Sequence, residues 1–153
     1  VGSETETTAR ELETVAFPIE VSKLRELARA FKEDDPVWFD QGAALAAGFA
    51  SVPLPPTATV LADHWRENGA TFHSQAAGLD QPRVLHGEVS WEFERPLRVG
   101  DELTATSALV GDETRTGKRG GEMRLVTVET TYVDGHGDVV ARRRDLLIET
   151  GAK

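Results

Sequence analysis

The spacing of apolar positions changes near residue 83, and the change separates two kinds of element. Upstream, Leu24, Leu27, Ala28 and Phe31 recur at three- and four-residue intervals, which places them on one face of a helix. Ser22 is positioned to cap that helix, and Pro36 pushes the residue before it out of the helical region, so the helix is predicted to stop before Asp35. Residues Glu13 to Glu20 read as a short strand ahead of it. Gln41 to Ala47 predict a second short helix, closed by Gly48. Pro53, Pro55 and Pro56 cannot lie inside a helix, but Pro56 can begin one, and Thr57, Val60, Leu61, His64 and Trp65 share one face of the helix it would start.

Downstream of Arg83 the pattern alternates. Val89, Trp91 and Phe93 point one way, while Ser90, Glu92 and Glu94 point the other. Pro96 and Gly100-Asp101 end that strand. Leu103–Val110, Arg124–Val133 and Val139–Glu149 continue as antiparallel strands, with turns at Thr116–Gly121 and Asp134–Gly137. Helices followed by a meander predict an α+β fold with one helix packed on a curved sheet.

Composition adds limits. A chain of 153 residues with 39% hydrophobic and 28% charged residues is large enough for one core, so residues 10–153 read as one domain behind an unanchored segment, 1–9. A formal charge of −9 argues against a nucleic-acid partner. With no cysteine, disulfides and thiolate metal sites are excluded. No apolar run is long enough to span a bilayer and no charged-then-apolar leader precedes Arg10, so a cytoplasmic location is expected.

Two motifs carry a family resemblance. The run Glu33-Asp34-Asp35-Pro36-Val37-Trp38-Phe39-Asp40, followed by an Ala-rich stretch to Phe49 and by Val52-Pro53-Leu54-Pro55-Pro56, resembles the catalytic segment of MaoC-like hotdog hydratases and dehydratases. His86-Gly87-Glu88 and the turn Phe93-Glu94-Arg95-Pro96-Leu97-Arg98-Val99-Gly100-Asp101 resemble the N-terminal, FAS1-like dehydratase subgroup. The resemblance implies a single hotdog fold, an antiparallel sheet wrapped around a central α-helix. It also implies addition of water to, or its removal from, an enoyl thioester carried on coenzyme A or acyl carrier protein. That chemistry needs a base, an acid and donors to the thioester carbonyl. The family supplies base and acid through an Asp-x-Asn-Pro-x-His pattern, whose two catalytic positions here read Glu33 and Trp38. An indole does not titrate, so Trp38 cannot shuttle a proton.

The resemblance is compatible with two arrangements. In the favoured one the chain is the substrate-binding half of a pair: Trp38, Pro55, Thr57 and His64 face an acyl-CoA or acyl-ACP substrate, and a catalytic MaoC-like subunit completes a heterodimer. In the other, a homodimeric hydratase uses His86 with Glu88, which alternation along a strand places on one face. A non-catalytic acyl-CoA binding module needs the same tunnel without the pair. No cofactor is implied, and no residues have metal-ligand spacing.

Plainer roles compete for several of these residues. Asp34 and Asp35 read as turn formers. His64 reads as a half-buried, hydrogen-bonded histidine, and His73 and His136 as solvated. Arg115, Lys118 and Arg119 crowd a hairpin tip, and Arg142 and Arg144 share a strand face. These could meet phosphates or an acidic carrier protein, but balancing neighbouring carboxylates is the simpler role.

Overall fold

The computed structural model describes residues 9–67, 69–117 and 121–151; the proposed tail 1–9, all but its last residue, and the predicted basic tip residues Lys118 and Arg119 lie outside them. The strands are β1 (Arg10–Pro18), β2 (Val84–Phe93), β3 (Glu102–Thr116), β4 (Glu122–Val133) and β5 (Val139–Glu149). They form one antiparallel sheet in the order β1-β3-β4-β5-β2, which leaves β1 and β2 as its edges. The α+β architecture and the alternation along β2 are as the sequence predicts. The inner face carries Phe17, Leu103, Ala105, Tyr132 and Ala141, packed against Leu24, Ala44, Leu54, Ala58 and Ala62 from the helical layer.

Helix α1 (Val21–Ala30) starts earlier than predicted. Glu20, not Ser22, occupies its N-cap, without a capping side-chain bond. Leu24 and Ala28 are buried as expected, whereas Phe31 stands exposed beyond the helix end. The helix closes when Lys32 takes a left-handed backbone (φ 59°) and Glu33 N–H bonds Ala28 O at 2.9 Å. Asp35 then caps a single 3₁₀ turn, Pro36–Trp38, by accepting from Val37 N–H at 2.9 Å. Asp40 does the same for α2 (Gln41–Ala46), accepting from Ala43 N–H at 2.7 Å. Gly48 ends α2 with φ 90°, a conformation open to glycine at little cost.

The central element departs most from expectation. Pro56–Trp65 is a continuous 3₁₀ helix rather than a long α-helix, followed by a 3₁₀ turn at Gly69–Thr71 and by α3 (Phe72–Ala76). Its buried face is also different: Ala58, Thr59 and Ala62 are at most 1% exposed, while Val60 and Trp65 are 41% and 49% exposed and Thr57 and His64 face outward. The reason is close approach. Tyr132 Oη donates to Thr59 O at 3.4 Å, and Trp91 Nε1 donates to Thr59 Oγ1 at 2.9 Å. Only small side chains fit between the segment and large aromatics on the sheet.

This packing makes a direct prediction. Ala62→Leu overpacks the interface and costs about 1–3 kcal/mol, whereas Trp65→Ala changes stability by only about 0.5 kcal/mol. Urea unfolding midpoints of the two variants check this; the reverse ranking would put Trp65 on the buried face.

Candidate functional site

A cleft of about 400 Å³ opens where the family-like segment meets the end of β2. Its walls include Trp38, Phe49, Pro53, Pro56, Phe93 and Arg95. Backbone pairing sets the shape: Leu54 N–H bonds Leu97 O at 2.8 Å, Val99 N–H bonds Val52 O at 3.0 Å, and Pro53 bridges Arg98. The turn behind it is clamped by Arg95, which reaches both carboxylate oxygens of Asp101 at 2.7 and 3.2 Å. Asp101 also accepts from Arg98 N–H at 3.1 Å, and Gly100 adopts φ 92°. The Arg-Pro-Leu-Arg-Val-Gly-Asp run is therefore a self-locking turn. Its Arg95 faces the cleft with its charge already partnered.

A second arrangement is polar and lies between the 3₁₀ segment and the inner sheet face. Arg66 donates to Glu13 Oε2 at 2.6 Å and to Ser107 Oγ at 2.8 Å, and its Nε lies 3.3 Å from Asp63 Oδ1. Ser107 also meets His73 Nε2 at 3.1 Å and Thr130 Oγ1 at 2.8 Å. At the β2 side of this layer, Arg143 approaches Asp145 Oδ1 through Nε at 3.1 Å and Nη2 at 2.6 Å. His86 Nε2 reaches the same oxygen at 2.9 Å. Asp145 is 1% exposed, and its Oδ2 has no hydrogen-bond partner among the described residues.

The family described as "FAS1-like, dehydratase domain region" matches residues 6–143. A UPF0336 protein of Streptomyces griseus is 31% identical over 140 residues, covering 92% of this chain and 89% of its own. Another, from Clavibacter michiganensis, is 37% identical over 129 residues, covering 84% and 83%. The chain belongs to the MaoC-like hotdog dehydratases. A solved MaoC-like dehydratase superposes with a TM-score of 0.73 at 27% identity, over 94% of this chain and 42% of that one. The C-terminally truncated HadBC (3R-hydroxyacyl-ACP dehydratase) complex of Mycobacterium tuberculosis shares the fold, with a TM-score of 0.71 at 22% identity over 94% and 98% of the chains.

Within this MaoC-like domain the residues singled out from sequence are dispersed. Trp38 lines the cleft, but Pro53 and Pro56 line it in place of Pro55 and Thr57. Pro55 instead uses its carbonyl to accept Ala58 N–H at 2.9 Å. His64 is exposed rather than half-buried and lines a smaller hollow beside Phe17 and Leu24. Glu33 is exposed at the end of α1. His86 and Glu88 do not share a face. A bulge at Gly87 sets His86 opposite Leu147 and Glu88 opposite Leu146, so His86 turns inward and Glu88 outward. His73, expected in solvent, is 8% exposed. The plainer reading of the surface arginines holds: Arg144 pairs with Glu129 at 2.6 Å and Arg115 with Glu113 at 2.6 Å. Among the described residues no group of three or more His, Asp or Glu side chains is arranged to hold a metal ion, and no helix is long and apolar enough to cross a membrane.

Motif and composition do not single out the polar layer, although β5 carries a signal for it. Arg143 and Asp145 alternate in register with Ala141 and Leu147, both buried, so both charges had to point inward. Burial raises the Asp63 carboxyl above its ordinary range, against the pull of Arg143 and Arg66. Burial also lowers His73 to about 4, reinforced by Arg66. For Arg143 burial works in the opposite direction but is outweighed by Asp145, and the guanidinium is held more firmly charged.

Because folding lowers His73 from 6.5 to about 4, the unfolded chain binds the extra proton between those pH values. Stability is therefore complete above that window and falls as pH drops through it, by on the order of 3 kcal/mol. Urea titrations from neutral to acidic pH measure the slope, and His73→Gln, which keeps a polar group toward Ser107, is expected to flatten it. An unchanged slope would remove His73 as its source.

Proposed function

We propose that this MaoC-like domain is the acyl-thioester-binding half of a hydratase or dehydratase. The observation that carries this reading is Trp38: it stands at the family's histidine position and forms a wall of the largely apolar cleft with Phe49, Pro53, Pro56 and Phe93. An indole there offers apolar area and one N–H, which suits holding an acyl chain and not moving a proton. Glu33 alone could accept a proton at the paired position, and it lies exposed at a helix end. The missing acid/base pair would then come from a second, catalytic hotdog chain. The edge of β2, unpaired among the described residues, supports such a union, because an open strand offers a row of free N–H and C=O groups. The HadBC and ChsH1-ChsH2 neighbours are themselves complexes. A ligand of this class, acyl-CoA or acyl-ACP, suits a cytoplasmic protein.

Binding tests the reading directly. Crotonyl-CoA and a twelve-carbon enoyl-CoA are expected to quench tryptophan fluorescence, the longer one at lower concentration. Trp38→Ala should weaken binding about tenfold or more, equivalent to about 1.4 kcal/mol. Equal affinity in the variant, or no binding of either thioester, would overturn the assignment of the cleft.

A further inference from the structure

Leu54 belongs to two cavities at once. It lines the cleft of about 400 Å³ beside Trp38, and it also lines a more enclosed hollow of about 40 Å³ bounded by Phe17, Leu24 and Leu61. Among the described residues it is the one side chain that the two linings share. The hollow sits where the end of β1 and helix α1 meet the Pro56–Trp65 segment, with the exposed Trp65 and His64 at its rim. Its walls are almost wholly apolar. A water there would find few polar partners, so the space suits carbon.

The partition between the two cavities is one side chain thick. Leu54 is buried, yet its backbone is held without help from that side chain: its N–H bonds Leu97 O at 2.8 Å, and Pro53 and Pro55 flank it with restricted φ. Shortening the side chain therefore joins the two spaces while the backbone that carries the wall stays anchored. The cleft also has a polar end. Through Phe49, Pro53, Arg95 and Pro96 it runs into a depression that adds Ser51 and Arg98, and Leu54 takes no part in that lining. An acyl thioester is likewise polar at its carrier end and apolar at its tail, so the tail fits toward Leu54.

We propose that Leu54 is the end stop of the acyl site, setting the longest tail the cleft accepts, with the hollow behind it as space that a longer tail enters once Leu54 is shortened. The inference rests on acyl-thioester binding in the cleft and adds the residue that fixes chain-length specificity. Each tail methylene that enters apolar lining tightens binding about fourfold. A tail that meets Leu54 must turn back toward solvent, and further methylenes then add little.

The test is tryptophan quenching of the full chain by saturated acyl-CoA thioesters from four to fourteen carbons. Wild-type affinity is expected to climb with length and then level off. Leu54→Ala should move that break by about two methylenes, so that thioesters beyond the wild-type break bind about tenfold tighter than they do to wild type. Leu54→Val, a milder trim that guards against loss of folding, should move it by about one, or about fourfold. Adding Leu61→Phe to either variant fills the hollow from its other side and should return the break toward wild type. A long thioester should also raise the thermal midpoint of Leu54→Ala more than that of wild type, because it fills the joined space. Affinity that climbs through the whole series in wild type, a break that stays in place in both Leu54 variants, or a gain that survives Leu61→Phe would each overturn the inference and leave binding in the cleft intact. No binding of any thioester would overturn the cleft assignment as well.

Discussion

The close approach of the Pro56–Trp65 segment to the sheet governs the rest of the molecule. Ala58, Thr59 and Ala62 are small enough to bring that backbone against Tyr132 and Trp91, and both aromatics spend their polar atoms on Thr59. A larger residue at any of these positions would lift the segment and open the core. The same contact explains the 3₁₀ winding in part: the Pro55-Pro56 start lacks N–H donors, and the segment begins with three-residue bonds such as Ala58 N–H to Pro55 O.

Once the segment is seated, its two ends have different chemistry. At the proline end, backbone bonds from Val52 and Leu54 to the Leu97–Val99 strip hold an apolar cleft open beside Trp38. At the other end, Arg66 enters the interior and is met by Glu13 and Ser107, with Asp63 nearby. Burying these charges is costly unless each is paired, and the nearly continuous chain of partners from Glu13 to Thr130 is how the fold offsets that cost. Two atoms are exceptions: Arg66 Nε and Asp145 Oδ2 have no hydrogen-bond partner among the described residues.

Membership of the MaoC-like dehydratases accounts for the turn motif as well as for the fold. The Arg95–Asp101 pair, the left-handed Gly100 and the mutual bonds between Ile19 and Gly100-Asp101 tie the β2–β3 connection to the end of β1. A motif that reads as a family signature is thus, physically, a clamp that fixes the cleft wall.

Local rules determined much of this protein. The alternation of Val89, Trp91 and Phe93, the stop at Gly48, the turn at Asp134–Gly137 and the α+β order are properties of short windows, so the sequence by itself settled them, whereas α1 ends at Ala30 through left-handed Lys32, ahead of the stop that Pro36 predicts. So is the absence of a titrating group at position 38, which is a tryptophan. Only the tertiary structure decided which face of Pro56–Trp65 is buried, because apolar spacing favoured Val60 and Trp65 while steric fit to the sheet chose alanines and a threonine. It also decided the partner of His86. Strict alternation pairs that residue with Glu88, but one extra residue at Gly87 reverses the parity and delivers the ring to Asp145, fifty-nine positions away along the chain. Register and close packing are long-range constraints, and no local pattern contains them.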